Sequence, residues 1–164
     1  MINALIFDID GTLLNSENKV SPKTKEALIK CVEKWYKLFF ATARPPLLDR
    51  MVSWNDDILT KEQVLSMFHG GIYYNGGCVQ IGECKNYIFI SDEIVQKAID
   101  SVRNYANLNI ALQSKGEKHA FRFPLEDKKY KNWGITADET LTLDQRCKLK
   151  TIKILIFYSN LIKC

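Results

Sequence analysis

The chain has 164 residues, 46% hydrophobic and 26% charged, which suits one compact domain or a domain with a small companion and excludes a disordered chain. Its 23 Lys and Arg against 19 Asp and Glu leave a net charge of +4, which tolerates an anionic ligand but falls short of a nucleic-acid-binding surface. No apolar run approaches the ~20 residues of a membrane span, and Met1-Ile2-Asn3-Ala4 lacks the charged region and cleavage site of a signal peptide, so a cytoplasmic protein with no membrane partner is expected.

Ala4 to Phe7 is a short continuous apolar run, the pattern of a strand buried on both faces, and it ends abruptly in Asp8-Ile9-Asp10-Gly11-Thr12. Ser21-Pro22 opens a helix, with Ser as N-cap and Pro pre-set for the first turn. Ala27, Leu28, Cys31, Val32 and Trp35 follow at helical spacing and mark its buried face. Leu38 to Ala41 is a second buried strand, so the segment reads as a βαβ unit with parallel strands joined right-handedly. A second helix opens at Pro45-Pro46 with Leu47, Leu48, Met51 and Val52 on one side. Ile72 to Tyr74 reads as a third strand ending in Asn75-Gly76-Gly77, and 78–81 with 87–90 flank a hairpin turn.

From Ser91 the texture changes. Ile94, Val95, Ala98, Ile99, Val102, Tyr105 and Ala106 make the clearest amphipathic helix, and 110–113 with 119–123 bracket a second hairpin. Residues 124–149 are polar and ambiguous, although Tyr130 and Trp133 must pack, and 152–157 form a last strand. The first part is α/β with a parallel sheet, the second α+β with antiparallel hairpins.

Asp8 and Asp10 stand two apart after a buried strand, and Thr42-Ala43-Arg44 ends the neighbouring parallel strand at the same edge, where open α/β sheets bind ligands. Two nearby carboxylates repel, and a divalent cation such as Mg²⁺ relieves the repulsion. Thr and Arg add donors for an oxyanion. Acids, metal and anion donors together point to phosphoryl chemistry. An Asp-x-Asp-Gly after a strand is also a plain turn pattern, and Thr-x-Arg alone says little. The weight lies in the two together on adjacent strands.

Phe7-Asp8-Ile9-Asp10-Gly11-Thr12-Leu13-Leu14 resembles the first motif of the haloacid dehalogenase-like phosphatases, and Ala41-Thr42-Ala43-Arg44-Pro45 their second, usually Thr-Gly-Arg. Tyr74-Asn75-Gly76-Gly77 is similar to the Asn-Gly-Ala stretch of the Cof-type subfamily, which inserts a large α/β cap. The resemblance implies a Rossmann-like parallel-sheet core over 1–90 and an α+β cap domain, incomplete, over 91–164. It implies Asp8 as the nucleophile forming an aspartyl-phosphate and Asp10 as acid and base. Mg²⁺ would be held by the Asp8 carboxylate and the Asp10 carbonyl, and a small phosphorylated substrate by Thr42, the backbone N–H groups of Ile9 and Ala43, and the side chains of Arg44 and Asn75. Ala43 in place of the usual Gly would strain the loop by about 1 kcal/mol if the position needs a positive φ.

The family's third-motif Lys and fourth-motif Gly-Asp have no counterpart, since Asp127, Asp138 and Asp144 lie in the cap-like region. An alternative reading is therefore a truncated, catalytically impaired phosphatase-like protein that keeps a phosphate-binding or interaction surface. Self-association is expected to cover the incomplete core. A phospho-accepting receiver-like domain is a distant third, because it has no cap and its acids do not come as Asp-x-Asp-Gly-Thr. Core packing is expected of Trp35, Tyr36, Trp54 and Trp133, and a solvated face of His119 and Arg122 and of Lys128, Lys129 and Lys131.

Overall fold

The computed structural model describes residues 3–17, 19–52, 59–145 and 149–159. The chain divides into two compact units, Met1–Asn86 and Tyr87–Cys164. Among the described residues no helix is long and apolar enough to cross a membrane.

The first unit is a sheet in the order β1-β2-β3-β4-β5. Strands β1 (Ala4–Asp8), β2 (Lys37–Ala41) and β3 (Phe68–Tyr73) are parallel, and β4 (Cys78–Ile81) returns antiparallel to β3 before β5 (Cys84–Tyr87). Helix α1 (Pro22–Glu33) makes the first crossover, with the Ser21 hydroxyl accepting from the Thr24 N–H at its N-terminus. Two short helices, α2 (Leu48–Met51) and α3 (Lys61–Ser66), make the second. Neither the sequence spacing nor the apolar pattern marks α3, whose start is fixed by a reciprocal capping box between Thr60 and Gln63. On one side of the sheet Phe7, Phe40 and Phe68 meet, with the Phe40 and Phe68 rings stacked at 3.7 Å. On the other side Ile6 pairs in register with Phe39 and stays 60% exposed, and Ile81 is 62% exposed. β1 has no strand on its outer side among the described residues.

Helix α1 buries only part of the face its apolar spacing predicts. Lys25 and Leu28 are buried, whereas Ala27 and Val32 are exposed and Cys31 is half-buried. Trp35 does not pack: it follows the helix with φ 63° and is 90% exposed. The left-handed turn throws its ring outward as the chain reverses into β2. Trp54 lies outside the described residues.

The second unit is a sheet in the order β8-β7-β6-β9, made of β6 (Leu108–Ser114), β7 (Lys118–Phe121), β8 (Thr140–Thr142) and β9 (Thr151–Tyr158). Its long helix α4 (Asp92–Arg103) lays Val95 and Val102 on Ile110, Leu112 and Ala120. The ambiguous stretch holds α5 (Asp127–Tyr130), two 3-10 turns and β8, which pairs parallel to β7. The lysines of α5 are surface groups, with Lys128 and Lys129 on Glu126. Tyr130 is buried, and Trp133 packs edge-on against His119 and Phe121, as expected of both.

His119 and Arg122 are not on a solvated face. The Arg122 guanidinium donates to the carbonyls of Val102, Arg103, Tyr105 and Leu108 and so closes the C-terminal end of α4. His119 is fully buried. Its Nδ1 lies 3.0 Å from the Glu117 carbonyl, which can only accept, so Nδ1 carries the proton and Nε2 accepts from Gln113 Nε2 at 2.8 Å. Burial pushes the His119 pKa down to about 4. The unfolded chain, at about 6.5, therefore binds the extra proton first. Stability from this residue is intact above pH ~6.5 and declines as the pH falls toward 4. Urea midpoints measured across that window should fall in the wild type and fall less in His119→Gln.

Candidate functional site

Every residue singled out for chemistry lies at the carboxyl edge of the β1-β2-β3 sheet. β1 ends at Asp8, and the chain then folds into one helical turn in which the Ile9 carbonyl accepts from the N–H groups of Leu13 and Leu14 at 3.1 and 2.9 Å. Gly11 takes φ 77° to make that turn, a conformation open to glycine without strain. Ile9 is fully buried and anchors the loop from below, which leaves Asp8 and Asp10, the residues on either side, both exposed at the rim.

The loop after β2 is held tightly to the loop after β3. The Thr42 N–H donates to the Ile72 carbonyl at 2.9 Å, the Asn75 N–H to the Thr42 carbonyl at 3.2 Å, and the Tyr74 N–H to the Arg44 carbonyl at 3.1 Å. Thr42 is buried, and its Oγ1 accepts the Arg44 N–H at 3.1 Å. Asn75 is exposed in the left-handed region at φ 57°, ψ 38°, which this residue type tolerates better than most. Ala43 is not among the residues with positive φ, so the strain expected from replacing Gly does not arise.

Two donors expected to meet the ligand, one on its phosphate and one on its substrate side, are engaged within the protein. The Ile9 N–H donates to Asp8 Oδ1 at 2.8 Å. The Arg44 side chain, expected to face substrate, closes on Asp10: Nε donates to Oδ2 at 2.9 Å and Nη2 to Oδ1 at 2.5 Å. That fork, more than its charge, holds the Asp10 carboxyl below the ordinary carboxylate range, and partial burial offsets only some of the effect. The spacing of Asp10 and Arg44, thirty-four positions apart, gives no sign of this pairing; only the register of β1 on β2 brings them together.

As a metal site, the edge offers oxygen donors alone. The Asp8 carboxylate and the Asp10 carbonyl suit Mg²⁺, which keeps waters and substrate oxygens and needs one or two protein carboxylates. Among the described residues no group of three or more His, Cys, Asp or Glu side chains is placed to hold a metal.

Comparison with known proteins agrees with this architecture. The chain resembles the structure of an HAD subclass IIB sugar phosphatase at TM-score 0.71 and 23% identity, covering 94% of this chain and 58% of that one. A second, described for a trigonal-bipyramidal intermediate in a phosphoryl-transfer superfamily, matches at TM-score 0.73 and 24% identity, covering 94% and 57%. A Thermotoga maritima structure matches at TM-score 0.66 and 20% identity, covering 95% and 56%. These likenesses establish the fold, and the chain spans less than two thirds of the length of each relative. No curated protein matches it. A family model for haloacid dehalogenase-like hydrolases matches residues 5–163, nearly the whole chain, and with the two aspartates after β1 and the Thr42 loop after β2 in place, the chain belongs to that family.

Proposed function

We propose that this chain carries the nucleophile half of a Mg²⁺-dependent phosphatase acting on a small phosphorylated metabolite. The observation that supports it most is the placing of Asp8 and Asp10 at one exposed rim, beside the buried Thr42 hydroxyl and the Asn75 loop. Residues 1–90 serve as the hydrolase core and 91–164 as an α/β cap in this reading.

Asp8 attacks phosphorus with a carboxylate oxygen, the bond to the leaving oxygen breaks, and an aspartyl-phosphate forms. Asp10, which the Arg44 fork holds mainly as the carboxylate, acts as acid from its minor protonated form, giving that proton to the leaving oxygen, then takes one from the water that attacks the aspartyl-phosphate and frees Asp8. The Thr42 hydroxyl and the N–H groups of Ile9 and Ala43 receive the phosphoryl oxygens, Ile9 exchanging its bond to Asp8 for one to the ligand. The Asp8 carboxylate and the Asp10 carbonyl would hold Mg²⁺, which would supply charge neutralisation between carboxylate and phosphate. The test is hydrolysis of an aryl phosphate by the purified chain with and without Mg²⁺, set beside its Asp8→Asn variant.

The impaired, binding-only reading has one observation in its favour, the lack of a three-carboxylate group among the described residues. Turnover no faster than that of Asp8→Asn would select it. Self-association belongs to either version, because the outer side of β1 and exposed Ile6 and Ile81 offer an edge and an apolar face to cover. Light scattering should report an oligomer, and a clean monomer at micromolar concentration would remove this element.

A further inference from the structure

We infer that Arg44 is a positioning residue that fixes the Asp10 carboxylate at the rim, and that it does not bind substrate; the inference rests on the phosphatase reading above. Asp10 sits in an exposed loop just before Gly11, where a carboxylate would otherwise rotate freely. The Nε/Nη2 edge of Arg44 grips both of its oxygens at 2.9 and 2.5 Å, which sets the plane of the carboxyl as well as its place.

Arg44 can do this because its backbone is held at both its N–H and its carbonyl and its side chain has a second anchor. Its N–H is on Thr42 Oγ1, its carbonyl accepts from Tyr74, and Nη1 reaches the Met51 carbonyl at the end of α2 at 3.4 Å. The side chain is 19% exposed against 52% for Asp10, so the guanidinium lies behind the carboxylate and the carboxylate faces outward. A fork of two hydrogen bonds leaves a lone pair on each Asp10 oxygen, enough to carry or accept the one proton that the reaction moves. Lysine has the charge but a single nitrogen, and cannot set that plane.

The test compares wild type, Arg44→Lys and Arg44→Ala, with Mg²⁺, on two substrates. An alkyl phosphate needs a proton on its leaving oxygen, whereas a nitrophenyl phosphate leaves without one. Loss of a positioned acid costs on the order of 10²–10⁴. The expected result is a fall in kcat/KM of about 10²-fold or more for the alkyl phosphate and less than about threefold for the nitrophenyl phosphate, with Lys no better than Ala. Equal losses on both substrates, or a rise in KM shared by both, would overturn the inference and make Arg44 a phosphate ligand or a purely structural group. If the wild type shows no Asp8-dependent turnover, the phosphatase reading falls, and the Arg44 Nε–H signal in a ¹⁵N spectrum decides separately. A signal that moves and exchanges faster in Asp10→Asn sustains the positioning contact, and one that Asp10→Asn leaves unchanged ends it.

Discussion

Asp8→Asn should abolish Mg²⁺-dependent hydrolysis of an aryl phosphate, with kcat falling by at least about 10³-fold and the urea midpoint unchanged. The amide keeps the shape of the side chain and one acceptor oxygen, so the Ile9 N–H that donates to Oδ1 keeps a partner. What it loses is the anionic oxygen that attacks phosphorus. The residue is exposed at the end of β1, so the substitution leaves no cavity and no buried group unsatisfied. A single stopped assay with wild type and variant at matched concentration checks the prediction. Wild-type rates are themselves expected to be low. No third carboxylate joins the site among the described residues, and a transition state short of one electrostatic partner loses about 2.7–4 kcal/mol.

The second large effect concerns the backbone that carries the site. Gly70 lies in β3 with φ 150°, opposite Ile81 of β4, and a Cβ placed there would stand 2.0 Å from the Gln80 carbonyl oxygen. No rotamer relieves that contact, because the obstacle is backbone. Gly70→Ala must therefore push β4 away from β3 or twist the strand, and should cost about 3 kcal/mol, combining overpacking with a φ that side chains rarely adopt. Gly71→Ala is the control. Its Cβ would meet the tip of the Tyr73 ring at 2.9 Å, which can turn aside, and Phe40 Cβ, which cannot, only at 3.0 Å against the 2.0 Å at Gly70, so its cost should be smaller. Denaturation of both variants in urea measures the difference. Because the Thr42–Ile72 and Asn75–Thr42 bonds hang on the same strand, Gly70→Ala should also loosen the loops at the rim.

The same glycines show where the sequence is readable and where it is not. The pattern at Ala4 to Phe7 and at Leu38 to Ala41 leads directly to β1 and β2, since a strand buried in a parallel sheet leaves a continuous apolar run. The apolar pattern starts the third strand at Ile72, whereas β3 begins at Phe68; Gly70 fits within it because β4 approaches too closely there for any side chain. In α1 Lys25 is buried beside the expected Leu28 while Ala27 and Val32 stay exposed, and periodicity has no means of foreseeing a buried lysine. The site divides along the same line. The positions of Asp8, Asp10, Thr42, Arg44 and Asn75 at one edge follow from strand order, which the sequence shows. The grip of Arg44 on Asp10 and the closure of α4 by Arg122 depend on side-chain directions across long sequence separations, which it does not.

Trp35, turned almost wholly to water in the first unit, and Trp133, wedged among aromatic rings in the second, form a natural pair of fluorescent reporters. Water around an indole shifts its emission to the red, and a ring-lined setting keeps it to the blue. With Trp54 replaced by Phe, the blue component belongs to Trp133 alone and its loss follows the melting of the second unit. Quenching by iodide reads Trp35 while both units are folded. The odd outward turn after α1 thus supplies an optical handle on the first unit, beside the one that Trp133 supplies on the second.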